Sequence, residues 1–197
     1  MKLNVTHACR EALKIMLAIP DAVHSVEHVV RVYDWCRRLA KSYPQTDLKV
    51  LKISAYWHDV GRSQQSKDKD DHNLKSGQLV EDYLKKRQVD PAFIKEVKYT
   101  VENHSFACRP KNIEGKILHD ADKLAFTEDF QLLDPFEGFK DGCENETFGK
   151  RDFIQAVKIL LADKGIDYFY NGLLLPEAKE ILKSREEELR KINWPFN

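Results

Sequence analysis

Ala55-Tyr56-Trp57-His58-Asp59-Val60-Gly61-Arg62 is the stretch on which the reading of this sequence turns. An imidazole and a carboxylate stand side by side behind the apolar run Val50, Leu51, Ile53, Ala55 and Trp57, the pattern of a buried helix. Gly61 follows where that helix would stop, and a left-handed glycine cap is the expectation. Polar side chains at the end of a buried helix cost free energy unless something satisfies them, and a divalent cation satisfies both. Taken alone, the pair also reads as a capping Asp beside a surface His, so the remaining sequence has to decide.

Helical periodicity continues on both sides. A first helix is expected from about Val5 to Ile19, closed by Pro20, with His7 as a surface or capping residue. A second is expected from near Asp21 to Tyr43, stopped by Pro44. It carries His24 and His28, four apart and therefore on one helical face. The third runs from Asp47 through Asp59, and the polar run from Arg62 to Asp71 then reads as an exposed loop. A fourth helix starts near Asp71 with His72 in its first turn. Asp90-Pro91 is a start signal for a fifth that reaches His104, Asp as N-cap and Pro at the first helical position. A sixth spans about Ile113 to Phe126, where Asp120 and Asp122 both border the apolar face; periodicity does not say which points inward. After a loop with aromatic residues around Asp134 to Gly142, two more helices are expected, Arg151 to Lys164 and Pro176 to about Ile192. No stretch reads as a strand or a repeat, so the expected fold is all-α, a single domain over residues 1–197.

Composition narrows the function classes. Lys and Arg number 32 and Asp and Glu 32, so no bulk field draws the chain to nucleic acid or to an anionic membrane. Cys9, Cys36, Cys108 and Cys143 are scattered without C-x-x-C spacing and read as reduced thiols rather than a zinc site. No apolar run is long enough to span a bilayer, and a cytoplasmic location is expected. The oligomeric state is left open, a homodimer included.

His28, His58-Asp59, His72, His104 and Asp122 recur at helix ends or on helix faces. A mixed imidazole and carboxylate set suits Mn, Fe, Ni, Zn, Co or Mg better than a thiolate metal. His28, the 58–59 pair and one late Asp would supply four ligands. The order H…HD…D, carried by His24-Ser25-Val26-Glu27-His28-Val29-Val30-Arg31-Val32, Tyr56-Trp57-His58-Asp59-Val60-Gly61 and Asp120-Ala121-Asp122-Lys123-Leu124, resembles the HD superfamily of metal-dependent phosphohydrolases. His104-Ser105-Phe106 is similar to a stretch that many small bacterial members carry before the last motif, and the resemblance spans roughly residues 20 to 126.

The resemblance implies a helical-bundle fold and a divalent metal held by His28, His58, Asp59 and Asp122, with Asp120 behind them orienting a ligand. It implies that His24 gives a proton to the leaving oxygen and that Asp59 or Asp122 takes one from water. Arg62 and Lys123 are candidates for pairing with substrate phosphate. The implied partner is a small phosphorylated molecule such as a nucleotide. His72 and His104 are candidates for a second metal or a phosphate contact; with two ions the site would suit a phosphodiesterase or a di-iron oxygenase. A ligand-sensing module without catalysis is the remaining class. The chain departs from the pattern at Leu124-Ala125-Phe126-Thr127-Glu128, where relatives continue with D-A and a Gly-rich run, so no role is carried beyond about Phe126.

Overall fold

The computed structural model describes residues 3–18, 24–64, 72–132 and 165–190. Among them the regular structure is helical, without a strand: α1 (Val5–Met16), α2 (Val26–Leu39), α3 (Leu48–Trp57), α4 (His72–Lys85), α5 (Pro91–Glu102), α6 (Ile113–Leu132), α7 (Gly165–Gly172), α8 (Pro176–Ser184) and α9 (Glu186–Arg190). The all-α expectation stands. No helix among the described residues is long and apolar enough to cross a membrane.

α3 is the axis of the fold, because it buries two faces at once. Asp47 caps it, accepting from the amides of Lys49 and Val50 at 2.8 and 3.2 Å. Val50, Ile53 and Trp57 enter a core shared with α1, α4 and α5, built from Ala8, Ala12, Met16, Val80, Leu84, Ile94, Val97 and Val101. Leu51 and Ala55 enter a second core with α2, α6 and the C-terminal helices. Burying a side chain the size of Leu51 or Ile53 contributes about 1.5–3 kcal/mol, and both are within 1 % of complete burial. The indole that burial traps on this side is satisfied: Trp57 Nε1 donates to the Ala8 carbonyl at 3.0 Å.

Several boundaries differ from the sequence reading. α2 starts at Val26, not near Asp21, because the Ser25 hydroxyl takes the N-cap position and accepts from the His28 amide. The Asp90-Pro91 start is as read, with the Asp90 carboxylate accepting from the Phe93 amide at 3.0 Å. α6 continues to Leu132, past the expected end at Phe126. Gly165 opens α7 rather than only closing an earlier helix, and the last expected helix is broken at Arg185. The helix expected over 151–164 and the aromatic loop over 134–142 lie outside the described residues.

Gly61 is the instructive difference. It has no positive φ and does not cap α3; Val60–Gln64 form a 3-10 turn instead of an open loop. What glycine supplies is proximity. A Cβ here would lie 2.2 Å from the His72 carbonyl oxygen and 2.6 Å from the Ser76 amide nitrogen, while the Gly61 amide donates to Ser76 Oγ at 2.8 Å. The turn after α3 therefore rests directly on the first turn of α4.

Farther away, Tyr43 donates its hydroxyl to Glu177 Oε2 at 2.6 Å, joining the end of the α2 region to α8. Burial pushes this phenol up, and the Glu177 and Asp120 carboxylates push it the same way, to about 12.

Two outcomes follow for stability. Gly61→Ala should lower the urea unfolding free energy by about 1–3 kcal/mol, the usual cost of overpacking; an unchanged midpoint would mean that the turn is not wedged on α4. Tyr43 has a folded pKa above its unfolded value, so its contribution is complete below pH 10.0 and is lost as pH rises through about 12. Alkaline unfolding curves of Tyr43→Phe should be flatter across that window, and parallel curves would contradict the assignment.

Candidate metal centre

The C-terminal end of α3 delivers His58 as the helix cap and Asp59 in the turn behind it, between the two cores. Around this point α2 brings His28, α6 brings Asp122, the first residue of α4 is His72, and His104 follows the end of α5. Apart from Asp122, whose side chain is 18 % exposed, these groups are essentially buried.

His58 shows what the arrangement is for. Its Nδ1–H donates to the Ala55 carbonyl at 2.7 Å, which fixes the tautomer and leaves Nε2 as a bare acceptor. That Nε2 is buried and has no hydrogen-bond partner. It lies 3.3 Å from Asp59 Oδ2 and 3.7 Å from Asp122 Oδ1. His28 Nε2 is 3.2 Å from Asp122 Oδ1 and 4.0 Å from Asp59 Oδ2. His28 Nε2 is within hydrogen-bond reach of Asp122, whereas His58 Nε2 is an acceptor facing acceptors in a dry interior. These repel one another, and a cation would convert that repulsion into ligation. The donor set fits a divalent ion: single ligand atoms of His28, His58 and Asp59 lie within 4.8 Å of one another.

A second group shares the same aspartate. Asp59 Oδ1 is 3.5 Å from His72 Nε2 and 3.8 Å from His104 Nε2, and the two imidazole nitrogens are 3.4 Å apart. His104 is oriented as His58 is, with Nδ1 on the Val101 carbonyl at 2.6 Å. These three residues also offer ligand atoms within 4.8 Å of one another. The two carboxylate oxygens of Asp59 thus face different histidine pairs.

Electrostatics keep the donors available. Burial alone would raise the Asp59 carboxyl, but Arg62 and then His58, His24 and His104 hold it well below the ordinary carboxylate range. For Asp122, burial again works upward and is outweighed by Lys123, His28 and His58. Burial pushes the His104 imidazole down to about 4, with the neighbouring His58 and His72 acting in the same direction and Asp59 against them. Carboxylates stay charged and His104 stays neutral at physiological pH.

The other residues singled out in the sequence take varied places. His24 is not on the helical face of His28, since it precedes the Ser25 cap; its half-buried ring still packs edge-on against His28, centroids 5.9 Å apart. Arg62 reaches back to Asp59 Oδ1 with Nε at 3.0 Å and to His72 Nε2 with Nη2 at 3.3 Å. Lys123 is buried and donates to Asp122 Oδ2 and to the His104 carbonyl, both at 2.8 Å, fastening one ligand to the backbone of another.

Asp120 does not sit behind a ligand. It accepts from His119 Nδ1 at 2.7 Å and from the Leu174 and Leu175 amides at 2.7–3.0 Å, binding α6 to the segment before α8. Ser76, which sets the distance between the turn and α4, was not singled out in the sequence. Its only trace there is its position one helical turn after His72, followed by Gly77.

Comparison with known proteins gives the same picture. No curated protein matches the sequence. Among solved structures, a predicted HD superfamily hydrolase from an uncultured Thermotogales bacterium superposes with a TM-score of 0.59 at 20 % identity, over 95 % of this chain and 86 % of that one. The Lin1889 protein from Listeria innocua superposes with a TM-score of 0.55 at 16 % identity, over 96 % and 99 % of the two chains. At these identities the likeness shows a shared fold. The family model for the HD domain matches residues 25–127, which contain His28, His58, Asp59, His72, His104 and Asp122. The chain belongs to the HD domain family.

Proposed function

We propose that this protein is a metal-dependent phosphohydrolase cleaving an ester or anhydride bond of a small phosphorylated metabolite, with nucleotides as the leading class. The observation that carries the reading is His58 Nε2, buried, without a hydrogen-bond partner and facing two carboxylates. Membership of the HD family supports this chemistry at the level of the family.

His28, His58, Asp59 and Asp122 would hold one divalent ion. Asp59, through its other oxygen, would hold a second with His72 and His104. Such an ion lowers the pKa of bound water towards neutrality and holds a phosphoryl oxygen. Asp122 is the more exposed of the two carboxylates and the better placed to accept the proton of an attacking water. His24, half-buried beside His28, donates a proton to the leaving oxygen. Lys123 keeps Asp122 and His104 in register.

The sharing of Asp59 between two histidine pairs favours a two-ion centre over a single ion, and a two-ion centre is also compatible with di-iron oxygen chemistry. The complete donor set speaks against a sensing module.

Protein purified without chelator should carry Mn, Fe, Ni, Zn or Co, read by elemental mass spectrometry, and should release phosphate from part of a panel of nucleotides and small phosphate esters. Asp59→Asn should lose metal and fall to background activity with its helical signal kept. His24→Ala should retain metal and turn over on the order of 10²–10⁴ times more slowly. Metal-replete protein inert on the whole panel, but consuming oxygen when loaded with ferrous iron, would replace hydrolysis by the oxygenase reading. Metal-free protein with no affinity for added ions would defeat both.

A further inference from the structure

We infer that Arg62 is an internal cation that holds the second ion position closed, so that the two ions load in order and the second must displace the guanidinium. The inference rests on the two-ion reading above. Arg62 donates Nε–H to Asp59 Oδ1 and Nη2–H to His72 Nε2. Those are two of the three ligand atoms of the second group, whose members are Asp59, His72 and His104. A lone pair on His72 Nε2 that accepts an N–H is the same lone pair a metal ion would take, so guanidinium and ion exclude each other there.

The first position is arranged differently. Its atoms are His28 Nε2, His58 Nε2, Asp59 Oδ2 and Asp122 Oδ1, and Arg62 Nε bonds the opposite oxygen of Asp59. One divalent ion there would face both carboxylates, Asp59 and Asp122, the latter also held by Lys123. Among the described residues, a second ion would meet the shared Asp59 and two imidazoles, next to a guanidinium already paired with that aspartate. Like charges therefore add to the competition for a ligand atom.

Local structure lets Arg62 work as a latch. It stands three residues after Asp59 on the 3-10 turn, and its amide donates to the Asp59 carbonyl at 3.0 Å, so the turn returns the side chain onto its own aspartate. Gly61 seats that turn against His72 and Ser76, which brings the guanidinium within reach of His72. The side chain is 16 % exposed, so it lies at the rim and can swing outward without opening the core. Two sites linked through one displaceable group show reciprocal coupling: whatever removes Arg62 tightens the second ion, and the second ion releases Arg62.

The test is a titration of the full-length, metal-free protein with Mn²⁺ alone, followed by calorimetry and by paramagnetic resonance of the unbound ion. Wild type should show one tight and one weaker event. Arg62→Met should leave the first event unchanged and tighten the second on the order of tenfold. Arg62→Lys, which keeps the charge but cannot fork to both partners, should tighten it by less. A second event unchanged or weakened in Arg62→Met, with the first intact, would overturn the latch and make Arg62 a support for the ligands. Should the Met variant not fold, Arg62→Lys decides: no tightening overturns the proposal. Absence of any binding in wild type would instead overturn the metal centre itself.

Discussion

The structure depends on one electrostatic constraint, the burial of Asp59 among four imidazole nitrogens, of which those of His58 and His104 face it as acceptors. A carboxylate 2 % exposed at its side chain would ordinarily be neutralised by protonation or paired through strong hydrogen bonds. Here Arg62 supplies one charge-assisted bond, and the remaining neighbours are ring nitrogens at 3.3–4.0 Å whose fixed tautomers, at His58 and His104, turn lone pairs toward it. Such crowding disfavours the metal-free fold, and an ion bound to the folded state alone would shift the folding equilibrium toward it.

That constraint explains the division of the core. A single helix with one buried face would leave His58 and Asp59 at the surface. α3 buries two faces, with Trp57 and Ile53 on one side and Leu51 and Ala55 on the other, so its C-terminal end opens between two packed groups of helices. Ligands can then arrive from four other directions: α2, the start of α4, the end of α5 and the middle of α6.

How much of this was legible in the sequence follows from the range of each interaction. Capping is local, so Asp90-Pro91 announced α5 correctly. The apolar run of α3 was legible for the same reason. The start of α2 was not, because Asp21 and Ser25 are both good cap residues by type, and it is Ser25 that takes the position, accepting from the His28 amide. Gly61 was noticed for its conformational freedom, whereas its role is the close approach of a carbonyl and an amide eleven and fifteen residues away. His28, His58, Asp59 and Asp122 were brought together by resemblance. The resemblance offered His72 and His104 as an alternative second pair, but that both face the far oxygen of Asp59 came from distances, since no periodicity relates a turn after α3 to the start of α4 and the end of α5.

Asp120 and Asp122 show why the last ambiguity had to wait for three dimensions. Two residues apart on a helix, their side chains leave the axis about 200° apart. On an amphipathic helix one of them would face solvent, and the sequence pattern would reveal which. α6 is instead covered on both sides: the apolar stripe Ile117, Leu118, Ala121, Leu124 and Ala125 is fully buried, and His119, Asp120 and Lys123 outside that stripe are buried as well. Asp122 turns to the centre, and Asp120 turns to the backbone amides of Leu174 and Leu175. The same segment reaches the other side of the site through Phe106, two residues after His104. Its ring meets Phe169 and leaves no room for a Cβ on Gly172, and its carbonyl faces His119 Nε2 at 3.5 Å. α6 therefore holds a ligand with one acid and the C-terminal segment with the other. Through Phe106 and Lys123 that segment in turn helps fix the His104 side of the centre. Among the described residues beyond Phe126, Phe169, Gly172, Leu174 and Leu175 contribute to the site by position.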